Sequence, residues 1–149
     1  MRADIIIPSC KPIQELKTYV EMYKQLYSSE GECNFIPTGI KASASVNRNY
    51  GLVRSRESKA EYIIMMDDDI GGFFEGWHNM LIQPLIDDKD IRIVSARLIT
   101  KDSDFSPMQG VDFDLSKDLS IAKDVILSAC IAFRKKDVLD KLWFDMEFI

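Results

Sequence analysis

Glu61-Tyr62-Ile63-Ile64-Met65-Met66-Asp67-Asp68-Asp69 runs a continuous apolar stretch straight into three carboxylates. A short apolar run with no helical spacing reads as a buried strand, and this one delivers its acidic cluster to the strand's carboxyl end. Gly71 and Gly72 loosen the turn that follows. Upstream, Asp4 to Pro8 carries Ile5, Ile6 and Ile7 and stops at a proline, which predicts a second short, buried strand at the start of the chain. Between these two strands, Ile13, Leu16, Tyr19, Val20, Tyr23, Leu26 and Tyr27 recur at helical spacing behind Pro12, a residue suited to a first helical turn. Cys33 to Ile36 reads as a strand because it runs into the breakers Pro37-Thr38-Gly39. Ser43 or Ser45 is placed to cap a helix reaching about Ser58.

Downstream of the aspartates the pattern predicts a helix over Trp77 to Ile86 and a strand over Ile91 to Ala96. A polar loop from Thr100 to Asp124 and a strand from Val125 to Phe133 complete the chain. Alternating strands and helices predict a layered α/β fold, with a mostly parallel central sheet and flanking helices, in one domain over residues 1–149. In such sheets the ligand crevice lies beyond the carboxyl ends of the strands, so Pro8-Ser9 and Asp67 to Asp69 share one edge.

Composition narrows the function. With 46% hydrophobic and 29% charged residues, the chain has enough apolar material for a real core and is too apolar to be disordered. A net charge of -5 with dispersed basic residues argues against a nucleic-acid polymer as partner. Three cysteines without metal-ligand spacing, Cys10, Cys33 and Cys130, read as reduced thiols. No apolar stretch approaches the roughly 20 residues of a membrane-spanning helix, and the N-terminus lacks a signal-peptide apolar region, so the expected location is the cytoplasm.

The acidic cluster demands compensation, since two charges about 4 Å apart repel by roughly 4 kcal/mol at an effective dielectric of 20. A hard divalent cation, Mg²⁺ or Mn²⁺, supplies it while keeping positions for water and substrate phosphates. The plainer alternative is a solvated turn in which Asp68 or Asp69 caps the next helix.

These segments, in this order, resemble the GT-A glycosyltransferases, in particular the family 2 group, over nearly the whole chain. Asp4-Ile5-Ile6-Ile7-Pro8-Ser9 is similar to the family's opening strand and nucleotide-binding turn, and Asn47-Arg48-Asn49-Tyr50-Gly51-Leu52 resembles its Ala-Arg-Asn-x-Gly segment. Glu61 to Asp69 resembles the strand leading into its Asp-x-Asp motif. Ile91 to Val94, Ser128 to Lys135 (an acceptor-side strand followed by basic residues) and Phe144-Asp145 resemble later landmarks. The resemblance implies donor contacts from Pro8, Ser9, Asn47, Arg48, Asp67 and Asp68. It also implies a metal held by Asp69 with Asp67, and transfer of a sugar from a nucleotide diphosphate donor to a hydroxyl acceptor with inversion.

Two departures stand out. Where the family carries an acid after its second strand, this chain reads Phe35-Ile36-Pro37-Thr38-Gly39. The family's catalytic carboxylate follows the Phe-Asp landmark at a position past Ile149, so no catalytic base is assigned and the chain is read as a C-terminally truncated or incomplete transferase. Asp145 and Glu147 are the nearby acids.

Each remaining residue carries a plainer reading beside the functional one. Arg48 fits a diphosphate, or is a surface helix charge. Asn47 and Asn49 contact the donor, or brace their loop. His78, the single histidine, is expected at the surface or core edge rather than in chemistry. Phe73, Phe74 and Trp77 are expected in packing rather than against an acceptor sugar. Two rival functions remain: a non-catalytic nucleotide-sugar-binding module, and a haloacid dehalogenase-type phosphatase using Asp67 as nucleophile.

Overall fold

The structure, a computed structural model, describes residues 2–27, 33–71, 73–96, 129–141 and 144. The loop expected over 100–124, the start of the strand expected over 125–133, and Asp145 and Glu147 lie outside the described residues. In chain order the elements are β1 (Ala3–Ile7), α1 (Ile13–Tyr27), β2 (Cys33–Pro37), α2 (Ala44–Ser55), β3 (Tyr62–Met66), α3 (Trp77–Asp87), β4 (Ile93–Ser95), β5 (Cys130–Arg134) and α4 (Lys135–Val138).

The strands form one sheet in the order β2-β1-β3-β5-β4. β1 pairs in parallel with β2 and with β3, while β5 runs antiparallel to both β3 and β4. The α/β layering therefore matches the sequence reading, and the sheet is mixed because β5 runs against the other four described strands. An apolar run such as Cys130 to Phe133 looks the same in either direction, because the strand period has no polarity; pairing partners alone set its sense.

The three central strands are buried on both faces, and their alternate side chains divide into two cores. Ile5, Ile7, Ile64, Met66, Cys130 and Ala132 face one core, closed by Val20 and Tyr23 of α1 and by Trp77, Leu81, Ile82 and Leu85 of α3. Ile6, Ile63, Met65, Ile131 and Phe133 face the other, closed by Leu52 of α2 and Val138 of α4. Each such side chain contributes about 1.5–3 kcal/mol relative to exposure, which makes these strands the rigid base of the molecule.

Helix α2 approaches the sheet closely enough that a Cβ on Gly51 would meet the side chain of Ile6, so the smallest residue is required there. Ser43 is its N-cap, its side chain accepting the Val46 N–H at 3.3 Å, and the helix ends at Ser55 rather than near Ser58.

At the end of β5 two adjacent basic residues serve opposite layers. Arg134 donates to the carbonyls of Leu85, Asp88 (2.8 Å) and Ile91 (2.8 Å), closing the carboxyl end of α3. Lys135 donates to the carbonyls of Ser55 and Ser58 (2.8 Å), closing the carboxyl end of α2. Cations stabilise those helix ends because the last carbonyls are unpaired and carry the negative end of the helix dipole. The resemblance sets these basic residues at the end of a strand, where the fold also has them, and there both are buried with their side chains closing helix ends. His78 is likewise inside, packed against Trp77, and not at the surface or core edge. Among the described residues no helix is long and apolar enough to cross a membrane.

Candidate functional site

Because β2, β1 and β3 are parallel neighbours, their carboxyl ends open on one edge, and the turns that leave them meet there. Thr38 carries on the ladder past β2, its N–H donating to Ile7 O at 3.2 Å. Its hydroxyl accepts the Ser9 N–H at 3.2 Å and donates to Asn47 Oδ1 at 2.5 Å.

Asn47 is 1% exposed. Its Oδ1 also accepts the Ile40 N–H at 3.1 Å, and its Nδ2 donates to the carbonyls of Ile40 (3.0 Å), Ala42 (3.2 Å) and Ser43 (3.1 Å). The side chain is thus committed to holding the 38–43 loop, in which Gly39 takes a left-handed φ of 59°. Of its two sequence readings the structure shows the bracing, with both ends of the amide engaged in the loop. Asn49 is also occupied: its Nδ2 donates to Phe144 O and its Oδ1 accepts the Phe144 N–H, each at 2.8 Å.

The three aspartates have three different surroundings. Asp68 is engaged through both oxygens: Ser9 Oγ donates to Oδ2, and Lys11 Nζ lies 3.2 Å from Oδ1. The Lys11 N–H donates in turn to Ser9 Oγ at 3.0 Å, closing a small ring of contacts. Asp67 faces Arg48, with Nη2 at 3.4 Å from Oδ1, a long contact for a charge-assisted pair. Asp69 is exposed and makes no hydrogen bond or ion pair with the described residues.

The turn carrying them is pinned at both ends, by the Asp67 N–H to Ala129 O at 2.8 Å and by Tyr19 OH donating to Ile70 O at 2.7 Å. Burial raises the Asp67 carboxyl above its ordinary value of 3.8; Arg48 opposes the rise, while Asp69 and Asp68 add to it. Beneath the turn, burial, followed by the charge of Asp67, pushes the Cys130 thiol up to about 12, so it stays protonated and unreactive.

The edge therefore brings together Ser9, Arg48, Asp67, Asp68 and Asp69, with half-buried Pro8 directly after β1. Among the described residues these three carboxylates meet two cations, Lys11 at Asp68 and Arg48 at Asp67, and exposed Asp69 has none. Among the described residues no three His, Cys, Asp or Glu side chains form a metal-ligand set. Trp77 is buried in the core and partly buried Phe73 packs against it, whereas Phe74 is exposed.

Lys11, Thr38 and Phe144 are site residues that the sequence reading did not single out as such. Thr38 stood in a breaker cluster and Phe144 in a landmark motif, but neither spacing nor residue type connects Phe144 with Asn49 across 95 positions. The chain matches no protein-family model, and no curated protein matches it at a significant level.

Proposed function

We propose that the edge formed by the ends of β1, β2 and β3 binds a nucleotide diphosphate sugar, and that the protein is a GT-A, family 2-like glycosyltransferase domain passing the sugar to a hydroxyl acceptor with inversion. The observation that carries the reading is the acidic turn on the carboxyl edge of parallel strands, where, among the described residues, Asp69 is exposed and unpaired beside Asp67.

The residues fit a hard divalent cation, Mg²⁺ or Mn²⁺, which needs oxygen ligands and is commonly held by one or two carboxylates plus substrate phosphates. Asp69 and Asp67 would hold it, and when bound it supplies positive charge against the departing diphosphate.

Arg48, whose planar guanidinium matches phosphate oxygens, stands on α2 within reach of the same turn. Ser9 and Thr38 shape the wall next to it through their mutual hydrogen bond. Acceptor activation requires a carboxylate within hydrogen-bond reach of the attacking hydroxyl, and none of the described residues is assigned that role. Three free cysteines suit a reducing setting such as the cytoplasm.

The test is calorimetric titration of UDP and GDP, with and without Mn²⁺, into wild type and Asp69→Ala. Metal-dependent binding that disappears in the variant supports the donor site. Absence of binding by either nucleotide under every metal condition rejects it for those nucleotides, and an aspartyl-phosphate trapped on Asp67 would reassign the site to phosphoryl transfer.

A further inference from the structure

Among the described residues the Arg48 guanidinium meets Asp67 and the Phe144 ring, and holds neither tightly. Its contact with Asp67 is 3.4 Å, and its guanidinium carbon lies 5.3 Å from the centroid of the Phe144 ring. The second distance falls within the roughly 6 Å over which a cation is attracted to an aromatic face. With one lengthened ion pair on a side chain 18% exposed, the ring is the second contact that fixes the direction of the guanidinium.

The ring is in turn held from the helix that carries Arg48. Asn49 grips the backbone of Phe144 through both N–H and C=O, a two-point clamp that fixes the residue's orientation as well as its position. Phe144 also packs against the core beneath α2. Adjacent residues of one helix therefore divide the work: Asn49 anchors a distant segment, and that segment's ring aims Arg48 at the acidic turn.

We infer that Phe144, clamped by Asn49, is the positioning residue that directs Arg48 toward the phosphates of a nucleotide diphosphate. The inference rests on the donor-site reading and deepens it. Phe144 touches no phosphate itself; it lowers the entropy that Arg48 would lose on binding one.

Three variants and two readouts test it, with thermal melting to verify folding. Phe144→Leu removes the aromatic face while keeping an apolar side chain, Phe144→Trp keeps a face, and Asn49→Leu keeps the ring but removes the clamp. In titrations of UDP and GDP with Mn²⁺, Phe144→Leu should bind about two- to five-fold more weakly than wild type, the range expected of a cation–π contact near the surface. Phe144→Trp should restore the affinity, and Asn49→Leu should weaken it at least as much as Phe144→Leu.

The second readout is the Arg48 side-chain N–H resonance, which the ring current shifts in wild type and in Phe144→Trp. The shift should vanish both in Phe144→Leu and in Asn49→Leu, where the ring persists but is unclamped. Equal nucleotide affinity in wild type and folded Phe144→Leu overturns the inference while leaving the donor site standing. An Arg48 resonance indifferent to Phe144→Leu overturns it whatever the nucleotide result. A wild type that binds neither nucleotide fails the donor site first, and the purpose assigned to Phe144 fails with it.

Discussion

At the amino end of β1, Asp4 is 0% exposed, yet its carboxylate is fully served: Asn34 Nδ2 donates to Oδ1 at 3.1 Å, Ser55 Oγ and Ser58 Oγ (2.5 Å) donate to Oδ2, and Lys135 Nζ lies 3.8 Å away. At the carboxyl end of the neighbouring strand, Asp67, Asp68 and Asp69 stay partly open to solvent and, among the described residues, share two cations and leave one carboxylate without a partner. The same residue type on the same sheet thus does opposite things. One acid is matched by one ammonium, sealed under α2, and belongs to the fold. The other group, among the described residues, is short of positive charge and open to solvent, which is what the proposed donor site requires and a structural ion pair does not.

The largest expected effect attacks the closed end. Asp4→Ala leaves Lys135 buried without its acid, and breaking a buried pair in this way should cost about 3–5 kcal/mol in urea denaturation. The double variant Asp4→Ala with Lys135→Met should be more stable than Asp4→Ala alone, because it removes the stranded charge. If the double variant is instead the less stable, Lys135 acts through its cap on α2 rather than through Asp4.

The wall of the open end comes next. Asn47→Ala strands the polar groups of the 38–43 loop and should cost about 1–3 kcal/mol, read by the same denaturation experiment. A loss as small as that of an ordinary surface substitution would mean the loop is braced by something other than Asn47.

A smaller effect of opposite sign is expected at the acidic turn itself. The folded-state value of Asp67 is raised, so the ionised group detracts from stability above that value, and the deficit closes as pH falls toward the ordinary 3.8. Asp67→Asn should therefore be more stable than wild type at neutral pH, with the two melting curves converging in acid. A variant less stable than wild type at neutral pH would show that the contact with Arg48 outweighs burial.

The smallest expected effect is Asp69→Ala, which should change stability by no more than about 0.5 kcal/mol because the side chain is exposed and unpartnered. Coupled with lost metal-dependent nucleotide binding, that null result would separate function from fold at one position. A large destabilisation would mean the three aspartates form a structural turn after all.

Much of this contrast could be anticipated from residue order. Ile5 to Ile7 and Tyr62 to Met66 announce buried strands, the spacing from Ile13 to Tyr27 announces an amphipathic helix, and three acids directly after a strand announce a cluster on the sheet edge. These are local signals, carried by periodicity and by the breaking of it. Asp4 was read only as the first residue of its strand, since a single acid before three isoleucines says nothing about the serines and lysine that enclose it.

The amino-acid sequence by itself determined strands β1 to β3, helices α1 to α3, their α/β alternation and the placing of Ser9 and Asp67 to Asp69 at strand ends, because these depend on neighbours a few residues apart. Tertiary structure alone decided that β5 runs antiparallel, that Arg134 and Lys135 close two helices on opposite faces, that His78 is buried, and that Asn49 holds Phe144 beneath Arg48. Strand direction, helix capping from afar and a clamp across 95 positions all depend on which distant groups come to share a small volume. Local pattern carries no record of that, since it emerges only when the two cores close and every buried polar group must find its partner.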